Sequence, residues 1–469
     1  MPFLDRLQHW AAVQPDATAV TVGADTLTYA ELWAAASARL AATPHLSSVC
    51  LPNGTEFAVR FAAGVAGDRS CAVLDPGWPA AQRTDAARRL AAIAAGGADQ
   101  TGLGTELRDG PPDRDFLYGF TSGTTSLPKA FTRSRRSWQL SFEHGAGFFG
   151  LTRHDRVLAP GPLSASLTLY ALAESLHVGA AFVTLPRFDA GLAGVVLAGQ
   201  GITRIVAAPT LLGLIGARAL AAGTDGSGLT AVVSAGAKLD PGTVAVLRGW
   251  APNATLYEYY GAAELSFVTA SVLCPGEAVP ASATAVGRAL PGVDLRIRCA
   301  DGRDAPPGAP GTIEVRSPLI ATGYAWGDDG HAFRRDGEWC TVGDLGSLGA
   351  DGVLHHLGRR ADMIVTSGQN VYPQAVEAAL RSVPGVETAV VTGLPDPVRG
   401  TRVVAAVIVT PETDAASLRS AAASLLAGPA RPRAYYALPE APVTGAGKLS
   451  RRRLREWIED GDPRVRPLR

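Results

Sequence analysis

Short apolar runs alternate with alanine-rich amphipathic stretches over most of this chain, and that rhythm restricts the fold more than any single motif. The runs Thr18–Val22, Ser48–Leu51, Ala181–Leu185, Arg204–Ala208 and Thr230–Ser234 have strand length and composition. Tyr29–Leu40, Phe57–Ala66, Leu211–Ala222 and Gly242–Gly249 carry helical periodicity. Strands and helices in alternation predict an α/β architecture with mainly parallel sheets.

The texture changes from about Gly287 to Gly358. Short alternating strands there (Asp294–Arg298, Gly311–Arg316, Gly352–Leu357) are separated by Gly, Pro and Asp turns, which predicts a β-rich subdomain. A smaller α+β unit follows, with helices at Pro373–Ser382 and Ala416–Ala427 and strands at Thr388–Thr392 and Val403–Thr410. The stretch Leu357-Gly-Arg-Arg-Ala-Asp362 is the expected junction, dividing the chain into a large body, 1–358, and a small unit, 359–469. At 469 residues two or more domains are expected, because single hydrophobic cores stop growing near ~250–300 residues. The basic run Arg451–Arg453 is expected to end a solvated helix.

Charge excludes some partners. Lys+Arg and Asp+Glu both number 43, so nothing directs the chain to nucleic acid or to an anionic membrane surface. The apolar zone from Gly191 to Gly223 is broken by Arg204, Pro209 and Arg218, and no membrane span is expected. The opening Met1-Pro-Phe-Leu-Asp-Arg has no basic stretch followed by an apolar signal core. The five cysteines are scattered and lack metal-ligand spacing, reading as reduced thiols of a cytoplasmic protein. The eight histidines show no metal spacing either, and His355-His356 reads as part of a β-hairpin.

Among 43 basic residues only three are lysines: Lys129, Lys238 and Lys448. Two lie in Gly- and hydroxyl-rich loops. Lys129 closes Phe120-Thr-Ser-Gly-Thr-Thr-Ser-Leu-Pro-Lys129, and Lys448 closes Thr444-Gly-Ala-Gly-Lys448. Small hydroxyl residues around a glycine let backbone N–H and side-chain O–H groups converge on one anion. An ammonium adds a compact charge there that arginine's planar fork cannot imitate. The first loop therefore reads as a triphosphate or pyrophosphate cradle, although neither loop has P-loop spacing.

Phe120–Lys129 resembles the signature loop of the adenylate-forming superfamily, which includes acyl-CoA synthetases, peptide-synthetase adenylation domains and luciferases. Ala208-Pro-Thr210, Ser234-Ala-Gly-Ala237, Tyr260-Gly-Ala-Ala-Glu264, Val286-Gly-Arg288, Gly343-Asp344, Gly358-Arg359, Asn370-Val-Tyr-Pro373 and Thr444–Lys448 follow in that family's order. The resemblance thus covers nearly the whole chain. It implies that Thr121, Ser122, Gly123, Thr124, Thr125 and Lys129 hold ATP phosphates. Ala237, Glu258, Tyr259, Tyr260, Gly261 and Ala263 would surround the nucleotide, with Tyr260 stacking on adenine. Asp344 would accept both ribose hydroxyls, Arg359 would contact the ribose, and Glu264 would hold Mg²⁺. Lys448 would bridge the attacking carboxylate and the α-phosphate. Ser367 and Gly368 would face the pantetheine arm of coenzyme A. Singly, these residues have plainer readings: Asp344 as a turn residue, Tyr259-Tyr260 as core aromatics, Glu264 as a helix cap, Arg359–Asp362 as a surface ion pair.

Gly145-Ala-Gly147-Phe-Phe-Gly150 fits a dinucleotide pattern but follows a polar stretch, so helix packing is the better account. Several positions depart from the family: Ser126 and Ser367 stand for glycines, Ala263 for a hydroxyl residue, Ala361 for the hinge residue, and Ala165 where many acyl-CoA synthetases carry histidine. Leu163-Ser-Ala-Ser-Leu167 offers no carboxylate for an α-amino group. Trp138, Leu163, Ser234, Ala235, Gly236, Tyr259 and Phe267 are the expected acyl-pocket residues. No charged pocket residue stands out, which points to an uncharged, mostly apolar carboxylic acid. The expected reaction is acyl-adenylate formation from ATP and transfer to coenzyme A. A carrier protein's phosphopantetheine arm is the alternative acceptor, and nucleotide binding without turnover a further reading.

Overall fold

The computed structural model describes residues 3–96, 104–121, 128–278, 282, 284–328, 330, 333–442 and 449–468. Two sheets dominate the large body. The first has nine strands, in the order Arg288–Ala289, Ser266–Leu273, Thr255–Ala262, Ala231–Ala235, Arg204–Ala207, Arg156–Leu158, Ala181–Thr184, Thr18–Val22 and Asp25–Thr28. Its central six strands pair in parallel, with antiparallel strands at both edges. The buried central strands are rich in Val, Ile and Ala, as expected for a parallel sheet covered on both faces by helices.

The second sheet has five strands, in the order Gly323–Trp326, Lys129–Ser134, Asp115–Thr121, Ser70–Val73 and Leu46–Val49. Asp115–Thr121 and Lys129–Ser134 are antiparallel partners with Thr121 opposite Lys129, so both ends of the hydroxyl-rich loop leave the sheet at one point. Ser122, Gly123, Thr124, Thr125 and Ser126 lie outside the described residues, as does Lys448.

A six-stranded antiparallel sheet follows, containing Asp294–Arg298, Gly311–Arg316, Arg334–Asp336, Trp339–Thr341, Asp344–Leu348 and Leu354–Arg359. Beyond it come the hairpin Ile364–Thr366/Gln369–Val371 and a four-stranded sheet of Val386–Asp396, Gly400–Val409, Ala434–Ala437 and Arg466–Pro467. Helices Pro373–Arg381, Ala415–Leu425 and Arg451–Glu459 pack on this smaller unit, which has its own apolar core around Val376, Leu380, Val391 and Val407.

The basic run does not end a solvated helix. Arg451 begins the helix Arg451–Glu459, whose Leu454 and Trp457 are buried. Its guanidinium donates to Glu377 at 3.0 and 2.6 Å and contacts Asp362 at 3.3 Å. Arginine's planar fork meets the buried Glu377 carboxylate with two parallel hydrogen bonds. Asp362 consequently pairs with Arg451, whereas Arg359 turns to Asp344. The Gly145–Gly150 pattern forms the end of helix Arg135–Phe149 and its left-handed cap, with no preceding strand–turn context. No helix among the described residues is long and apolar enough to cross a membrane.

Candidate active site

Two side-chain clusters converge where the three sheets of the body meet. The first is built on adjacent strands. Asp344 and Arg359 are register partners on the hairpin Asp344–Leu348/Leu354–Arg359, and Arg359 Nε lies 3.5 Å from Asp344 Oδ1. Tyr260, from the strand Thr255–Ala262, donates its hydroxyl to Asp344 Oδ2 at 2.8 Å. The His356 ring lies 4.9 Å from the Tyr260 ring, with Nε2 3.4 Å from Asp344 Oδ2. Burial alone would push the Asp344 carboxyl up; His356, Arg359 and the Tyr260 hydroxyl outweigh it and hold the group below the ordinary carboxylate range. Asp344 is thus an enclosed anion. Its Oδ1 accepts no hydrogen bond from the described residues, and a buried acceptor left so is costly unless a ligand donates to it. Vicinal hydroxyls, as on a ribose, fit that requirement.

The second cluster surrounds Glu264. Tyr324 donates to Glu264 Oε1 at 2.6 Å, and Thr121 is a further hydrogen-bond partner of the Tyr324 hydroxyl. Lys129 Nζ lies over the Tyr324 ring, 5.9 Å from its centroid. Burial first, and then the adjacent Glu264, push the Tyr324 phenol up, so it stays a proton donor to the carboxylate. Arg133, on the strand that starts with Lys129, donates to the Ala263 carbonyl at 3.1 and 2.6 Å and to the Leu319 carbonyl at 2.6 Å. Ala321 N–H donates to the Glu264 carbonyl at 2.7 Å. The turn carrying Ala263 and Glu264 is therefore clamped to the strand that follows the hydroxyl-rich loop. Gly261 permits this turn: a Cβ there would come within 2.1 Å of the Ser266 carbonyl oxygen.

The clusters share one field. The effect of burial on Arg359 is outweighed by Asp344, Glu264 and Asp362, which raise its pKa. Among the described residues no group of three metal-ligating side chains occurs. A lone carboxylate such as Glu264 suits a cation held mostly by phosphate oxygens and water.

The Glu258 carboxylate is taken up by Lys238 and by the Leu239 N–H at 2.6 Å, which braces the segment after Ala231–Ala235 and does not turn the side chain toward the Asp344 cluster. Gly236 and Ala237 are exposed at that strand's end. Ser234 and Ala235 are buried beneath it. Leu163 is a core residue whose N–H donates to Asn53 at 2.7 Å. Trp138 is buried against Phe116, Phe142 and Tyr170. Tyr259 and Phe267, with ring centroids 4.7 Å apart, do line a cleft, and so does Glu174. Two residues of charged type, Glu174 and Arg204, therefore line a pocket where no charged residue was expected. Ser367 and Gly368 form the left-handed two-residue turn of the hairpin Ile364–Thr366/Gln369–Val371, with φ of 50° and 75°.

Sequence reasoning missed Tyr324, His356 and Arg133. Tyr324 stands on the strand Gly323–Trp326, but nothing in the chain says that this strand pairs with Lys129–Ser134. Replacing Tyr324 by phenylalanine removes one hydrogen bond to a carboxylate, and a roughly 10-fold fall in kcat/KM for MgATP is expected. The apparent Mg²⁺ requirement should rise with it; an unchanged Mg²⁺ dependence would contradict this positioning role.

An α/β body with a smaller C-terminal unit encloses the Asp344 carboxylate beside Glu264 and Tyr324. The chain belongs to the AMP-binding enzyme family, which it matches over residues 84–325, with the AMP-binding enzyme C-terminal domain matched over 375–448. The uncharacterised acyl-CoA ligase YhfT of Bacillus subtilis is 34% identical over 349 residues, 74% of this chain and 70% of that protein. The indoleacetate–CoA ligase of Aromatoleum aromaticum is 31% identical over 355 residues, 74% of this chain and 68% of its own length. Among solved structures, the amide bond synthetase McbA of Marinactinospora thermotolerans aligns with a TM-score of 0.80 and 27% identity, covering 97% of this chain and 100% of that one.

Proposed function

We propose that this protein is an AMP-forming acid–CoA ligase. The observation that carries the reading is the Asp344 cluster, whose Oδ1 accepts no hydrogen bond from the described residues, set beside Glu264, Tyr324 and the ends of the hydroxyl-rich loop. In the first half-reaction a substrate carboxylate oxygen attacks the α-phosphorus of ATP. The bond to the bridging oxygen breaks, and pyrophosphate leaves. Asp344 and Arg359 position the ribose, and Thr121–Thr125 with Lys129 orient the β- and γ-phosphates. Glu264, held by Tyr324, would bind Mg²⁺, which neutralises charge on the leaving pyrophosphate. Lys448 stabilises charge developing between carboxylate and α-phosphate. In the second half-reaction a thiol sulfur attacks the acyl carbon, AMP departs, and the thiol proton passes to solvent.

The acid–thiol ligase relatives support coenzyme A as acceptor. So does the pocket beside the Ser367–Gly368 turn, whose lining includes Arg399 and Arg433. Two arginines suit the several phosphates of a free nucleotide thiol better than the single phosphate of a carrier-bound arm. The small unit from Arg359 onward would pivot at Arg360–Asp362, serving adenylation with Lys448 and thioester formation with the Ser367–Gly368 turn. Acid-dependent pyrophosphate release across aliphatic, aromatic and dicarboxylic acids, followed by addition of coenzyme A, a holo-carrier protein or an amine, tests the reading. Thioester formation with coenzyme A is the expected outcome. ATP binding without release for every acid would contradict turnover, and an amide product would move the assignment to another acceptor.

A further inference from the structure

A narrow cleft, partly open to solvent, runs between helices Arg135–Phe149 and Ser166–Val178 and the parallel sheet. Its walls are aromatic: Phe149, Tyr170, Tyr259 and Phe267 meet edge to face or tilted, with centroids 4.7–5.9 Å apart. Tyr259 directly precedes Tyr260, and neighbouring strand residues point to opposite faces. One strand therefore presents the cleft through Tyr259 and the Asp344 cluster through Tyr260. Glu174 also lines the cleft, and its Oε1 is fully enclosed without a hydrogen-bond partner among the described residues. The nearest cation offers no relief, because Arg204 is committed to the Phe149 and Gly150 carbonyls, each at 2.6 Å, and lies 3.3 Å from Asp155. Gly145 keeps the space in front of the carboxyl open: a Cβ there would stand 2.6 Å from Glu174 Oε1 and 3.3 Å from the Phe267 ring.

An apolar aliphatic chain would leave this acceptor stranded, and a flat ring with a polar tip would not. We infer that the cleft takes an aromatic carboxylic acid whose end remote from the carboxylate carries a hydroxyl or amino group, and that Glu174 is the specificity-determining residue that bonds this group. The inference rests on the acid-ligase reading for what happens to the carboxylate, but the binding of the ring does not depend on it. Burial pushes the Glu174 carboxyl up to about 8, against a smaller opposing effect of Arg204, so near neutral pH a protonated carboxyl can both donate and accept. That suits hydroxyl and amine groups, which do both.

Calorimetric binding to the full chain would use benzoates, phenylacetates and cinnamates, each as the 4-methyl, 4-hydroxy and 4-amino compound. The methyl compounds control for size. In at least one series the hydroxy or amino compound should bind about 10-fold or more tighter than its methyl isostere, because a site built around a hydrogen bond rejects the analogue lacking it. Glu174→Leu should abolish or reverse that order, whereas Glu174→Gln, which keeps a donor and an acceptor, should retain part of it. Gly145→Ala, whose Cβ would crowd both the Glu174 carboxyl and the Phe267 ring, should weaken every aromatic acid. A wild-type preference for the methyl compounds throughout, or a polar preference that survives Glu174→Leu, would overturn the assignment. Pyrophosphate release with the same acids separates the two readings. Polar-selective binding without release leaves the cleft assigned and defeats the ligase, while release without polar selectivity does the reverse.

Discussion

Lys448→Ala is expected to slow acyl-adenylate formation by about 10²–10³-fold, the scale for removing a key electrostatic group, while thioester formation from supplied acyl-adenylate stays largely intact. The reasoning starts from composition. A chain that writes arginine at 40 of 43 basic positions, leaving three lysines, keeps lysine where arginine will not serve. Lys238 supports this: its ammonium pairs with the buried Glu258 carboxylate and braces the segment before helix Pro241–Trp250. Negative charge concentrates near the α-phosphate as pyrophosphate departs, and a compact ammonium can approach both the attacking oxygen and a phosphate oxygen. The second half-reaction expels AMP and has no pyrophosphate leaving group, so it should not need this charge. Lys448→Arg should therefore fail to restore adenylation. Rapid-quench measurement of each half-reaction separately is the check, and an equal fall in both would contradict the role.

Asp344→Asn should raise the KM for ATP about 10- to 100-fold, because hydrogen bonds to a charged acceptor contribute roughly 1.5–3 kcal/mol. Asparagine keeps the shape and can still accept from the Tyr260 hydroxyl. It loses the charge that Arg359 and His356 face, and with one oxygen replaced by an amide it no longer offers a second acceptor. The effect should fall on nucleotide affinity far more than on the melting temperature of the free protein. Stabilisation by saturating AMP, measured as a thermal shift, should shrink in parallel. An unchanged KM with an unchanged AMP-induced shift would show that Asp344 Oδ1 does not receive the ribose.

Much of the architecture was legible, for identifiable reasons. Thr18–Val22, Asp294–Arg298 and Gly311–Arg316 have the same bounds in sequence reasoning and in the structure, because turn residues fence them closely. Val386–Asp396 is more than twice as long as the expected Thr388–Thr392. Gly393 and Pro395 read as breakers, yet Gly393 is needed where Ile364 and Thr401 crowd the strand, and Pro395 lies toward its end opposite Thr401. Arg451 looked solvated because Glu377 is 74 residues away in the chain, and only the fold joins them.

At the site, residues carried by short motifs were legible and their supporting residues were not. Tyr260, Glu264, Asp344 and Arg359 stand in recognisable local contexts. Tyr324 and Arg133 act through strand pairing and buried carbonyls, which leave no local pattern. His355-His356 shows the limit of local reading: a strand must turn adjacent residues to opposite faces, but the pattern alone cannot say which histidine meets Asp344. His355 pairs with Thr284 at 3.1 Å, and His356 takes the site. Glu174 was passed over for a related reason. On the helix Ser166–Val178 it occupies a face that would be solvated in isolation, and only the covering helix and sheet enclose its carboxyl.

The central claim is that acid activation and thiol acylation are two successive steps on one chain, joined by an acyl-adenylate. A single-turnover reaction with ATP labelled at the α-phosphate, an activating acid and no thiol tests it most directly. The account predicts stoichiometric pyrophosphate release and label held as enzyme-bound acyl-AMP, discharged as AMP with matching thioester once coenzyme A is added. Label appearing in ADP, pyrophosphate release that needs no acid, or AMP discharged without a thioester would contradict it.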